Sequence, residues 1–526
     1  MNDIQETVRV GLAVRSKNIN FRINSSYKIN DSSGSVVSNL LPGEYKANVI
    51  EEGSRPLWSS RVISFKTSAM AQKFIGVFRK FGFNPELRQM GSEVEWLGRK
   101  LDARTWAVTL GGGYDPETNN AGVVAEITPL MTKLGFIKYP DQLFKVNSIR
   151  SAPPEGGVLE IVNDNGEAWK ISSTVRLIPE NPEDCFELPE VRLGIDFHWD
   201  HVESLSFKGI LEITVDGDCL TVINEVTLAD YLASLLGSEM RQDWHINALA
   251  AQAVAARSTV LATRGRHHFG EAFDLCHDDH CQCYQGVTRE SEVSRNALDL
   301  TRNAILEYDG HVADTRYSKS CGGLSEDYNT AWDDWNIPYL KTIQCVYSDS
   351  KDEKVSLNID WSENDSFERA LVDQPIKAAC NPALYPYPQS SKEMEKLFRW
   401  KMVIPGAELA ELIELRTGRS LGYINSLEIL ERGKSGRIRY LRVIGENGSV
   451  TVGKELQIRR LLSHSHFPSS AFTIERQDDG VFMFEGLGWG HGVGMCQLGS
   501  AALAAKGWKW EKLLSHYYPG TELIKK

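Results

Sequence analysis

Glycine stands at positions 486, 488, 490, 492 and 494, interleaved with Leu487, Trp489, His491 and Val493 and followed by Met495. A period of two is that of an extended strand, so the alternation predicts a β-strand with all five glycines on one face. A face without side chains admits another backbone or a flat ligand at close range. The other face offers an indole and an imidazole, which read as cleft residues. Tight sheet packing in a barrel would account for the glycines but not for Trp489 and His491. The spacing is not a dinucleotide fingerprint, which requires G-x-G-x-x-G and a downstream acidic residue.

The remainder of the chain surrounds this ribbon with strands and helices in mixed order, which favours an α+β fold over a doubly wound parallel sheet. At roughly 100–200 residues per domain, 526 residues suggest about three domains. Residues 1–190 read as an N-terminal strand/helix region, with strands at Val8–Val14 and Val62–Phe65 and an amphipathic helix at Ala69–Phe81. They carry no recognisable chemistry and read as a scaffold or docking module. The prolines between Pro179 and Pro189 suggest a hinge. Leu211–Val215 and Leu220–Val226 around Asp216-Gly217 read as a β-hairpin, and Thr227 as the N-cap of a helix carrying Tyr231, Leu232, Leu235 and Leu236. Asn247 is placed to cap the next helix, whose alanines allow close packing. A helical insert is expected near 389–416.

Charge and cysteine content narrow the function. Lys+Arg 58 against Asp+Glu 70 gives −12, and without a basic run the electrostatic footprint of a duplex nucleic-acid binder is missing. No apolar stretch approaches the ~18 residues that span a bilayer. The first residues show neither a basic n-region nor an apolar h-region, so no signal peptide is visible in this chain. Of nine cysteines, three crowd into Cys276, Cys281 and Cys283 beside histidines. The C-x3-H-C spacing of Cys276, His280 and Cys281, with His267 or His268 upstream, suits tetrahedral zinc; free thiols or a local disulfide are the alternative.

Glu239 ends the helix that Thr227 begins, with Met240 and Trp244 close behind. Apolar and aromatic neighbours disfavour a charged carboxylate, which prepares it to donate a proton. Proton delivery to a leaving oxygen is what glycosidic cleavage needs. Cys496, near His491, raises a thiol nucleophile as a third possibility, although a buried cysteine beside a glycine run is more often inert.

These motifs fall in one order. Leu228-Ala229-Asp230-Tyr231-Leu232 leads to Ser238-Glu239-Met240, then to Ala248–Ser258, Cys281–Gly286 and Tyr317–Glu326. Gly488–Ser500 follows and runs on to His516-Tyr517-Tyr518-Pro519-Gly520-Thr521. The stretch 205–526 strongly resembles the SpoIID/LytB family of stage II sporulation protein D and the amidase enhancers, with an insert at about 350–475. The resemblance implies a peptidoglycan lytic transglycosylase in which Glu239 acts as acid and then base. It cleaves the bond between N-acetylmuramic acid and N-acetylglucosamine to a 1,6-anhydro end, so no second carboxylate is required. It implies that Gln252, Arg257, Tyr317, Ser318, Trp489 and His491 line the glycan cleft, and that His268, Cys276, His280 and Cys281 hold a structural zinc. Peptide-stripped glycan strands are the implied substrate, an N-acetylmuramoyl-L-alanine amidase the implied partner, and the cell envelope the implied location. The alternative is a non-catalytic glycan-binding amidase enhancer. Residues 1–190 lie outside the resemblance and read as a possible cell-wall-binding module. Cys283 and Cys496 depart from the family pattern, which commonly has a small apolar residue and Ser there.

Overall fold

The computed structural model describes residues 6–114, 116–195, 199–345, 360–372, 377–384 and 392–525. Its centre is the helix Ile246–Thr263, in which every residue from Ala248 onward is buried. A helix apolar on all sides belongs in the middle of a core, and alanine lets neighbours approach its axis closely. Helices Leu228–Glu239, Glu292–Leu300, Gln497–Ala505 and Trp510–Tyr517 pack around it. Its N-cap is His245, whose Nδ1 accepts from the Asn247 N–H at 3.2 Å. Asn247, expected as the cap, instead accepts the N–H of Trp510 through its side-chain oxygen and so caps the last helix.

The hairpin forms as expected, from Ile210–Asp216 and Cys219–Thr227. Its surroundings were not foreseen. Strand Thr7–Ser16 pairs antiparallel with Cys219–Thr227, in register Thr7 to Thr227, while strands at 174–179, 27–30 and 36–40 extend the same seven-stranded sheet from the other side. A six-stranded sheet built from segments 18–23, 43–51, 158–172, 185–193 and 201–208 packs against it. Strand pairing therefore crosses the expected boundary between 1–190 and 205–526. Pro179 closes a strand, and Pro189 sits in the bulge between Leu188 and Val191, where a missing N–H does no harm.

Between Glu51 and Val158 lies a separate four-stranded antiparallel sheet under helices Ser68–Lys80 and Pro116–Lys133, with its own core around Phe65, Phe78, Val108 and Leu130. The adjoining hairpin 93–102 joins strands 305–308, 311–312 and 522–524 in a further sheet, and the buried Trp96 indole donates to the Asn303 carbonyl at 2.9 Å. The α+β class is thus observed, with both ends of the chain woven into the same core. Around the expected insert, strands from Arg399 to Leu487 form two three-stranded sheets about a second core that contains Phe467, Phe472 and Phe484. Residues 346–359, 373–376 and 385–391, in and beside the insert, lie outside the described residues. Among the described residues no helix is long and apolar enough to cross a membrane.

Candidate active site

Thr227 starts the helix that carries Glu239: its Oγ1 accepts the Asp230 N–H at 3.1 Å and donates to the Asp230 carboxylate, satisfying a first-turn amide. At the far end Met240 and Trp244 turn inward and are buried, which leaves the half-buried Glu239 at the rim. Three other segments converge on it. The Lys319 ammonium donates to the Glu239 carbonyl, an orphan acceptor of the helix end. Gln497, first residue of its helix, donates through Nε2 to Glu239 Oε2 at 3.1 Å and to Gln252 Oε1 at 3.4 Å. Gln252 reaches this point from the central helix. Behind the carboxylate, Gln252 Nε2 and Gln497 Oε1 are buried with no partner among the described residues.

A second set of groups feels the charge of Glu239. Tyr317 accepts from Gln282 Nε2 at 3.0 Å, and Gln282 in turn accepts from Tyr231 at 3.2 Å. Burial, and then the Glu239 charge, pushes the Tyr317 phenol well above its ordinary value. The Cys283 thiol donates to Asp279 at 3.2 Å. Desolvation, followed by the Glu239 charge, raises the Asp279 carboxyl to about 7, although the residue as a whole is exposed. Sequence reasoning identified one carboxylate; the structure adds Asp279, whose carboxyl the Glu239 charge helps to raise.

The glycine ribbon is not a strand. Only Gly486 lies in a strand, Val481–Leu487, and Gly488, Gly490, Gly492 and Gly494 beyond it all adopt φ between +74° and +88°. Every second residue is thus left-handed, a conformation that costs any other side chain strain. The backbone winds around a buried guanidinium, Arg437 of the insert, which donates to the carbonyls of Gly490 (3.2 Å) and Cys321 (3.2 Å) and to Ser435 Oγ (3.0 Å). A Cβ on Gly492 would lie 2.2 Å from Arg437 Cζ. The insert is therefore part of the wall behind the ribbon.

The other expected cleft residues separate. His491 packs at a tilt against Trp332 with ring centroids 4.7 Å apart and accepts the Val493 N–H at 3.0 Å; burial, and then the Arg316 charge, keeps it neutral. Trp489 pairs its backbone with Ser320 and lines a cleft of about 690 Å³ with Arg399, Trp400 and Lys401. Ser318 pairs through its backbone with Cys496, and its buried hydroxyl has no partner among the described residues. Arg257 does not line a cleft. It is 5% exposed and its Nη1 donates to the Thr301 and Ala304 carbonyls at 3.0 and 2.8 Å, holding the end of helix Glu292–Leu300 against the central helix. A motif position gives no indication of burial, which is why the sequence misplaced it. Lys319, Asp279 and Gln497 were missed, although Lys319 and Gln497 stand inside the quoted motifs and Asp279 between the cysteines of the metal-like loop.

The ligand atoms of His268, Cys276, His280 and Cys281 lie within 4.8 Å of one another. Nδ1 of His280 is 3.8 Å from both sulfurs, close to the edge of a tetrahedron with metal–ligand bonds of about 2.0–2.3 Å. His268 Nε2 is buried with no partner among the described residues, an orphan that a cation would satisfy. The Cys276 thiol is held well below its ordinary value by the Cys281 thiol and the His268 and His280 imidazoles. The donor set fits zinc. His277 is not in it: its nitrogens lie 3.0 and 2.9 Å from the Gly11 and Arg192 carbonyls, tying the loop to the N-terminal sheets.

Residues 216–308, which include Glu239 and the Cys/His loop, match the family model described as Stage II sporulation protein, and residues 326–494 match a domain of unknown function, DUF8618. An uncharacterized protein of Brachyspira hyodysenteriae is 27% identical over 61% of this chain and 73% of its own length. The Amidase enhancer of Bacillus subtilis is 25% identical over 56% of this chain, which spans 40% of that protein. Stage II sporulation protein D of Bacillus subtilis is 21% identical over 57% of this chain and 75% of its own length. The ordered motifs, the model matched over residues 216–308 and these relatives together make the chain similar to the SpoIID/LytB family, with a SpoIID domain around Glu239.

Proposed function

We propose that this chain is a peptidoglycan lytic transglycosylase with Glu239 as its general acid and base. Similarity to the family ties it to the cell wall. The observation that carries the finer reading is the oriented carboxyl: Glu239 Oε2 takes the Gln497 amide, and its own backbone carbonyl takes Lys319. In the first step the protonated Glu239 gives its hydrogen to the bridging oxygen as the bond from muramyl C1 to that oxygen breaks. In the second, the Glu239 carboxylate removes the proton of the sugar's C6 hydroxyl while that oxygen bonds to C1. The acid is regenerated, no water is consumed, and a 1,6-anhydro end results.

Asp279 is compatible with this scheme, since its carboxyl is raised toward neutrality beside Glu239. His268, Cys276, His280 and Cys281 would hold a zinc ion whose contribution is to lock the loop carrying Asp279 and Cys283. Peptide-stripped strands as substrate, an amidase as partner and an envelope location belong to the same proposal. Incubation with peptide-free glycan followed by mass spectrometry tests it. Wild type should release 1,6-anhydromuramyl ends and Glu239→Gln should not. Reducing ends would indicate a hydrolase, and tight glycan binding with no product from either protein would favour the binding and amidase-enhancing role named for the Bacillus relative.

A further inference from the structure

Four cysteines that are remote in sequence meet in the interior. Cys321, Cys345, Cys380 and Cys496 are all buried, and their sulfurs lie within 4.8 Å of one another. None is in a disulfide, and the Cys321 and Cys380 sulfurs are 3.7 Å apart. A disulfide would need about 2.05 Å and would join sulfurs only in pairs. Four thiolates on one zinc ion, at about 2.3 Å each, stand ~3.8 Å apart along the tetrahedral edges. A cubane iron–sulfur cluster puts each thiolate on a different iron and spreads the set wider. We propose that these four cysteines form a second metal site, a closed tetrathiolate centre for a single zinc ion, distinct from the Cys/His site on the 268–281 loop.

The shell around the sulfurs is built to face thiolates. Cys496 Sγ accepts N–H groups from Cys321 and Gly499, both at 3.3 Å. Cys321 Sγ accepts from Gly323 at 3.4 Å, and the Tyr517 hydroxyl lies 3.2 Å from Cys345 Sγ. Such outer donors orient the ligands and spread their charge. Arg437 donates to the Cys321 carbonyl from the next layer, placing a positive group beside a centre whose four thiolates outweigh one divalent ion. Gly499 leaves the necessary space: a Cβ there would sit 2.3 Å from Cys345 Sγ. With no oxygen or nitrogen ligand and no open position, the chemistry is that of a structural site.

Its position gives it a purpose. Cys321 lies two residues after Lys319, and Cys496 immediately precedes Gln497, the two side chains that hold Glu239. Cys345 pairs with Gly323 through its N–H and with Ala379 through its carbonyl, which brings the 378–381 segment to the same point. One ion would fasten the insert to both supports of the carboxyl.

Metal analysis of the full-length protein, purified under reducing conditions, tests this without relying on activity. Wild type should carry two zinc ions per chain. Cys276→Ser/Cys281→Ser should keep one, with an X-ray absorption spectrum showing four sulfur ligands and no nitrogen. Cys380→Ser should lose one ion while the remaining spectrum turns to mixed nitrogen and sulfur. If a variant fails to fold, the wild-type spectrum still decides: an average of about three sulfurs and one nitrogen supports two sites, and two of each overturns the proposal. Peptide mapping without reductant that finds these cysteines joined in pairs would also overturn it.

Discussion

Replacing Gly492 with alanine should break the molecule where the ribbon meets Arg437, and the size of the effect follows from the geometry. Gly492 has φ +74°, so any Cβ costs about 1–2 kcal/mol in backbone strain. That Cβ would also lie 2.2 Å from Arg437 Cζ and 2.4 Å from Nη1, which the buried guanidinium cannot accommodate without leaving its acceptors. Losing two of its three kinds of hydrogen bond, each worth ~1.5–3 kcal/mol for a charged donor, brings the total to about 4–8 kcal/mol. That is most of a typical domain's net stability of about 5–15 kcal/mol. Gly507 is the control: φ is +90°, yet nothing lies within 4 Å of its Cβ position, so Gly507→Ala should cost only the strain. Chemical denaturation of the two variants separates strain from collision. Equal losses, within about 1 kcal/mol, would refute the packing of the ribbon around Arg437.

Gln497→Leu removes the donor to Glu239 Oε2 and should lower the rate of anhydro-product formation by ~10–100-fold while leaving the melting temperature nearly unchanged; an unaltered rate would deny it a positioning role. Arg257→Met strands the Thr301 and Ala304 carbonyls and should cost about 2–4 kcal/mol of stability with no change in glycan affinity of the folded fraction, whereas a selective loss of affinity would return Arg257 to the cleft. Burial raises the Glu326 carboxyl from 4.5 to about 7, so the native state keeps a proton that the unfolded chain releases within that range. Unfolding free energy should therefore fall as pH rises from about 4.5 to 7, by at most ~3 kcal/mol from this group, and Glu326→Gln should flatten that slope; an unchanged slope would contradict the assignment.

What could be read from the residues was local chemistry. Thr227 as a cap, the hairpin after Ile210, the all-buried alanine-rich helix and the spacing of Cys276, His280 and Cys281 each depend on neighbours a few positions away. What escaped depends on distance or on φ. Alternating glycines carry the period of a strand whether the chain is extended or turns left-handed at every second residue, and only Arg437, more than 50 positions earlier, explains which. The pairing of Thr7–Ser16 with Cys219–Thr227 leaves no trace in either segment beyond ordinary strand texture. The four-cysteine cluster is scattered from 321 to 496, with none of the short spacings that reveal a metal loop. Gln497 was legible as a motif residue but not as the partner of Glu239, since amide side chains announce no direction.

The most direct test of the account uses water labelled with heavy oxygen. Wild type and Glu239→Gln are run side by side on peptide-free glycan in H2-18O, and the new ends are weighed. Unlabelled 1,6-anhydro ends are expected from wild type and none from the variant, with both proteins equally folded. Labelled reducing ends from wild type, or anhydro ends produced undiminished by Glu239→Gln, would contradict it.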